Sequence, residues 1–303
     1  MKQKQIAILG ALAIIFASSL WGLDGIILRP NLYHLDVSVV VFLEHMIAFL
    51  LMSVFLIREI KELKKLEKSD WISFGLIALF GGAIGTMAIT KAFFLVEFNH
   101  LSGIVILQKL QPLFALIMAG IILKERLSKT FYTWAGFAVI GSYLIVFGFD
   151  KPDFTANKFL IASLFSLLAA FSWGTSTVLG KKVVNRVNFR ITSFIRFGLT
   201  SLIMLIIITG LNKFSGFSDV TRSNLLILII IAVTTGSGAI FIYYWGLRKV
   251  PASKATIYEL GFPISAVIFD YLIHRSIMSG GQFLGAGFII FSMIMIVRDK
   301  SQK

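Results

Sequence analysis

The chain has no cysteine among its 303 residues. Disulfides, thiolate metal sites and thiol chemistry are thereby excluded, and the absence says little about compartment. Charge is also scarce: 15% of residues are charged, against about 25% in a soluble domain. The four histidines, His34, His45, His100 and His274, are scattered and form no metal-ligand spacing. There is no G-x-S-x-G and no phosphate-binding loop. Nothing in these features reads as an enzyme, implies a cofactor or a metal, or supplies ATP hydrolysis as an energy source.

What the chain has instead is long apolar runs. Hydrophobic residues make up 57% of it, with 29 phenylalanines and a mean hydropathy of +0.87. Crossing roughly 30 Å of hydrocarbon takes about 20 apolar residues in a helix. Ten segments qualify, near 6–28, 38–57, 71–95, 101–123, 131–148, 158–180, 191–211, 225–247, 254–273 and 280–297. The expected fold is an all-α membrane protein of ten transmembrane helices joined by short connections, with no extramembrane domain. The first run follows Lys2 and Lys4 but is too long for a signal peptide, so it counts as the first span.

The net charge of +14 could suggest nucleic acid, but its distribution argues for a membrane surface. With ten spans, 20 Lys and Arg fall on the side of the termini, six on the opposite side and three inside spans. That bias places both termini in the cytoplasm and the chain in the cytoplasmic membrane. Anionic lipid accounts for the basic face, and no nucleic-acid partner is needed.

The two halves match each other. Ser19–Gly22 (SLWG) aligns with Phe171–Gly174 (FSWG), which makes Trp21 and Trp173 mates, and Phe42–His45 aligns with Phe194–Phe197. Further on, Pro112 aligns with Pro263 and Ala135–Phe137 with Ala286–Phe288. Five spans per half is an odd number, so the second half enters the membrane from the other side. Such an inverted repeat is frequent in secondary transporters and suits alternating access. Pro112 and Pro263 fall near the middle of spans 4 and 9, where proline bends a helix and would serve as a hinge.

Ten spans, the five-plus-five repeat, SLWG in span 1 and RKVPASKATIYELGFPISAVIFDYLI at 248–273 together resemble the EamA family of the drug/metabolite transporter superfamily. The first half carries the matching LSGIVILQKLQPLFALIMAGIILKERLS at 101–128. The resemblance covers 8–148 and 158–298, two repeats of five helices. It includes the acidic residue after span 4, Glu125, whose second-half counterpart is Ser276. A role at the helix end follows for Glu125, and no binding role. The resemblance implies an inner-membrane permease or exporter of small metabolites.

Charges inside spans are expensive and normally face the bundle interior. Glu44 lies ~10 Å deep and Lys109 deeper, by the 1.5 Å rise per residue. Glu44 is the candidate for proton coupling or for a substrate ammonium, with Lys109 or Lys91 as its expected partner. Lys91, like Asp24, is also close enough to a span end to be an interfacial charge. Lys109 and Arg196 are candidates to bind a carboxylate, although Arg196 could equally snorkel to the interface. Span 9 lines up Ser253, Thr256, Glu259, Pro263 and Asp270 on one face, and span 4 repeats it with Ser102, Val105, Gln108, Pro112 and Ala115. Gln108 and Glu259 are therefore pseudo-equivalent cavity residues, each one turn before its proline. Tyr243, Tyr258, Trp21 and Trp173 are expected to face inward, where aromatic walls suit an aromatic or cationic ligand. The small-residue motifs at 81–85 and 281–285 are packing surfaces, either within the bundle or for a homodimer.

The expected function is a secondary transporter that moves a small polar or amphipathic metabolite, such as an amino acid, with protons as the candidate coupling ion. The alternatives are an uncoupled facilitator or channel-like uniporter, and a lipid flippase.

Overall fold

The computed structural model describes residues 3–97, 104, 107–150, 157–275, 277 and 279–298. Among them every regular element is helical and there is no strand. Ser102, Val105 and Ser276 lie outside the described residues, and so does the side chain of Asp270.

The chain begins with α1 (Gln3–Leu23), which runs on through a π-helical turn, Asp24–Leu28, and a 3-10 turn, Arg29–Leu32. The second helix is α2 (Val37–Leu63), opened by Asp36, whose side chain accepts from the Ser38 N–H. Then come α3 (Lys68–Leu76), a π segment at Ile77–Ile84, and α4 (Gly85–Leu95). Next are α5 (Gln111–Met118), with a π turn at Ala119–Leu123, and α6 (Lys129–Phe147). The second half holds α7 (Asn157–Val184), α8 (Phe189–Gly210), α9 (Arg222–Ile231), a π turn at Ala232–Gly236, α10 (Ser237–Leu247), α11 (Ala252–Tyr258), α12 (Gly261–His274) and α13 (Gly280–Arg298).

Six of these helical stretches are long and apolar enough to cross a membrane: Gln5–Leu32, Val37–Val54, Lys68–Leu95, Leu160–Val184, Phe189–Gly210 and Arg222–Leu247. Gln111–Leu123 and Gly280–Ile296 are shorter apolar helices. The stretches expected to be spans 4 and 9 are interrupted. Turns at 109–110 and 259–260 separate two helical pieces in each. Pro112 and Pro263, the expected hinge residues, follow these interruptions. They stand in the first turns of α5 and α12, where a missing N–H costs no helical hydrogen bond, and do not bend continuous helices.

Residues that align between the halves also meet or behave alike. Lys124 and Arg275 both end a helical segment in the left-handed conformation, at φ 55 and φ 58. Phe137 lies edge-on against its mate Phe288, ring centroids 5.5 Å apart. The aligned segments around Pro112 and Pro263 touch as well: Gln111 donates to Glu259, and Lys109 lies over Phe262.

The bundle is assembled from tight helix pairs: α6 on α13, α2 on α8, α4 and α5 on α7, and α1 on both α10 and α12. Large apolar side chains such as Leu12, Phe16, Leu50, Ile121 and Ile206 are exposed on its outside. So much exposed apolar surface on a monomer marks a lipid face. Connections gather at two ends. At one, Arg186 pairs with Glu67 at 2.6 Å, and the Glu125 carboxylate accepts from the Ala252 and Ser253 N–H groups that open α11. At the other, Lys213 meets Asp36, and Asn224 donates to the Asn31 carbonyl.

The small residues at 81–85 serve contacts within the chain. A Cβ on Gly81 would stand 2.1 Å from Ser176 Oγ, and one on Gly85 would stand 2.6 Å from the Trp173 indole nitrogen. Gly281 is likewise pressed against Gly148, where a Cβ would stand 2.7 Å from the Gly148 Cα. The absent side chains let the π segment touch α7 closely enough to position the groups described next. Gly81→Val is therefore expected to overpack this contact, at a cost of about 1–3 kcal/mol. The check is the thermal midpoint of detergent-solubilised protein, which Gly136→Ala, with open space around its position, should leave nearly unchanged.

Candidate functional site

The helices surround a central cavity of about 150 Å³. Three of the π segments contribute to its wall, through Asp24 and Gly25, Gly81, and Thr235 and Gly236. A π turn widens the helix and re-aims its carbonyls, and such turns recur at functional sites. Here the Gly81 carbonyl accepts from Arg196 Nη2 and from Trp173 Nε1, each at 3.1 Å.

The cavity has two charged poles. At one, Arg29 is buried between two carboxylates. Its Nη2 lies 2.7 Å from Asp24 Oδ2 and 3.2 Å from Glu44 Oε2, and its Nη1 donates to Thr90 Oγ1 at 3.1 Å. The partner of Glu44 is therefore Arg29, where Lys91 or Lys109 was expected. Lys91 is exposed and does not line the cavity. The reason is helical geometry. The π turn carries Arg29 back over Asp24 and inward toward α2, although its position in the sequence reads as a loop cation.

At the other pole Glu259 is 7% exposed, at the interruption between α11 and α12. Its carboxylate accepts from the Tyr243 hydroxyl at 2.6 Å, the Thr177 hydroxyl at 3.3 Å and the Gln111 side-chain amide. Lys109 places its ammonium 3.5 Å from the centre of the Phe262 ring, a cation–π contact. Arg196 lines the cavity too. It donates to the Tyr244 hydroxyl at 2.9 Å as well as to Gly81, and it is buried where snorkelling had been an alternative. Between the poles stand aromatic faces. Trp21 lies against Tyr243 with ring centroids 5.6 Å apart, and Phe93, Trp173 and Phe262 complete the wall.

Of the residues singled out from the sequence, Trp21, Glu44, Gln108, Lys109, Trp173, Arg196, Tyr243 and Glu259 come together here. Tyr258 does not: it is buried in the apolar core beside α1 and α10. It stands one residue before Glu259, about 100° around the helix, and so faces another side. Sequence reasoning missed Arg29, Gln111, Thr177 and Phe262. A signal existed for two of them, since Gln111 and Phe262 align between the halves and each precedes its proline.

An all-helical, lipid-facing bundle around an aromatic and charged cavity defines a membrane carrier of small molecules. The EamA-like transporter family matches residues 8–147 and 160–298, and the chain belongs to that family. It is 47% identical over 289 residues to the riboflavin transporter ImpX of Fusobacterium nucleatum, covering 95% of this chain and 97% of that protein. It is 26% identical over 251 residues to an uncharacterized transporter of Synechocystis, covering 80% of this chain and 69% of the other. It is 28% identical over 257 residues to an uncharacterized transporter of Clostridium kluyveri, covering 82% and 81%. A solved crystal structure superposes with a TM-score of 0.71 at 13% identity over 96% of this chain and 97% of that one, a likeness of fold alone.

The Arg29 pole yields a stability prediction. Arg29→Gln leaves Asp24 and Glu44 buried without their cation, which is expected to cost about 3–5 kcal/mol. Thermal unfolding in detergent should show a large drop for Arg29→Gln and almost none for Lys91→Gln, whose side chain is exposed. Equal effects of the two substitutions would contradict the ion-pair assignment.

Proposed function

We propose that the protein carries riboflavin, or a flavin closely like it, across the membrane through this cavity. The observation that carries the reading is the 47% identity, over nearly the whole of both chains, to a riboflavin transporter. The chemistry of the wall agrees. A flavin is a flat aromatic ring system with a hydrogen-bonding edge and a polyhydroxyl tail. Trp21, Tyr243, Trp173 and Phe262 offer ring faces for stacking, and Gln108 and Gln111 offer amides that pair with a ring edge. Oε1 of Gln108 and Nε of Arg196 are buried and lack a protein partner among the described residues, which leaves polar capacity for a hydroxylated ligand. This substrate class replaces the amino acid that the buried charges alone suggested.

The transport cycle in this reading is alternating access by ten helices in two inverted repeats, at 8–148 and 158–298. Three things support it. The family matches the two halves separately. Lys124 and Arg275 terminate aligned helices in the same left-handed conformation. The Gln111–Glu259 and Lys109–Phe262 contacts join the aligned interrupted segments of the two halves at the cavity. The uneven distribution of Lys and Arg supports both termini in the cytoplasm and residence in the cytoplasmic membrane.

The test is uptake of riboflavin into proteoliposomes made with the purified chain. Saturable uptake that unlabelled flavins compete away, and that aromatic amino acids and quaternary amines do not, is the expected result. No flavin uptake, with transport of one of the competitors, would overturn the assignment. Stacking of a base on an aromatic side chain contributes about 1–3 kcal/mol. Trp21→Ala is therefore expected to weaken riboflavin binding about tenfold, read from quenching of flavin fluorescence.

A further inference from the structure

We propose that Glu259 is the group that takes up and releases a proton during transport, and that Glu44 is a fixed half of an ion pair. The inference rests on the transport reading above and reverses the role that depth in the membrane gave to Glu44.

The two carboxylates are buried equally, 7% exposed each, but they are held by different chemistry. Glu44 faces Arg29, a guanidinium that does not give up its charge in proteins. Protonating Glu44 would discard that attraction. Among the described residues every group that hydrogen-bonds Glu259 is neutral: Tyr243 from α10, Thr177 from α7 and Gln111 from α5. No Lys or Arg nitrogen among the described residues lies within 4.0 Å of it. The titratable groups around it among the described residues are Tyr243 and Lys109; the Lys109 ammonium is seated on the Phe262 ring and attracts the carboxylate without contacting it. A buried carboxylate without a contacting counter-ion sheds a desolvation cost when it binds a proton. Its neighbours tolerate the change, because a hydroxyl and an amide can still donate to the carbonyl oxygen of the acid.

The position converts this charge change into motion. Glu259 closes α11 at the interruption before α12, and its three donors lie on three other helices. Hydrogen bonds to an ionised acceptor are roughly twice as strong as neutral ones. Binding of a proton therefore loosens the broken helix from α5, α7 and α10 together, and loss of the proton tightens it. Tyr243 also touches Trp21 in the cavity wall, so an occupant that displaces this pair would act on the same carboxylate. The aligned residue in the first half is Gln108, which does not titrate. At this pair of aligned positions the second half alone supplies a proton site.

The experiment uses the full-length protein in proteoliposomes, with riboflavin as the transported probe and an imposed pH gradient. The wild type should accumulate riboflavin above equilibrium when the gradient is present. Glu259→Gln should lose that accumulation at least tenfold while retaining measurable riboflavin counterflow. Glu44→Gln and Asp24→Asn should lower the yield of folded protein and keep the gradient dependence in what folds. Infrared difference spectra between acid and alkaline pH give a readout that needs no riboflavin: a protonated-carboxyl band should titrate in the wild type and vanish in Glu259→Gln. Gradient-driven accumulation that survives Glu259→Gln, or that is lost through Asp24→Asn instead, overturns the proposal. So does riboflavin equilibration that ignores the gradient in the wild type, an outcome that leaves the flavin reading intact. If riboflavin does not move at all, the flavin reading fails and the infrared band decides the proton site: its loss in Glu259→Gln supports Glu259, and its persistence in that variant overturns the proposal.

Discussion

Burying a charge in a low-dielectric bundle is costly unless another group meets it, and the centre of this protein is organised around that cost. Arg29, Lys109 and Arg196 stand against Asp24, Glu44 and Glu259 in one cavity, three cations to three carboxylates. They are met in three ways. Arg29 is met by ions, Lys109 by the face of an aromatic ring, and Arg196 by a backbone carbonyl and a tyrosine hydroxyl. Each solution needs a neighbouring helix at a particular distance, so the helix packing and the polar centre specify each other.

Interrupted helices make those distances available. In an unbroken α-helix nearly every carbonyl is consumed by the helix itself. The π segments at Asp24–Leu28 and Ile77–Ile84 re-aim carbonyls and side chains into the cavity, and the turns at 109–110 and 259–260 open α5 and α12 beside it. Irregular backbone at membrane depth is tolerated where it lines a cavity, and this is where it is found. The glycines at 81 and 85 complete the arrangement by letting α7 approach, which brings the Trp173 indole to the Gly81 carbonyl.

The two halves share their framework and differ in chemistry. Gln108 answers to Glu259, and Glu44 to Arg196, by alignment. The flavin reading and the proton reading draw on this asymmetry at different places, the first on the aromatic and amide wall and the second on one carboxylate.

Class and family were legible in the sequence, because hydropathy and repeat alignment are properties of the linear chain. The sparse charge, the apolar runs and the SLWG and 248–273 motifs required a helical membrane protein of the EamA type before any contact was known. Several polar and aromatic cavity residues, Trp21, Glu44, Lys109 and Glu259 among them, were legible too, since a polar or aromatic group deep in an apolar run has few places to go except inward. Pairing was not. Whether Glu44 meets Arg29, Lys91 or Lys109 depends on a π turn that rotates Arg29 inward and on the face that α4 gives to Lys91, and neither leaves a mark in composition. The number of continuous spans was hidden for the same reason: an apolar run looks identical whether its helix is whole or broken. Local patterning thus determined which groups the bilayer must hide, and only the packing of helices decided which of them hide together.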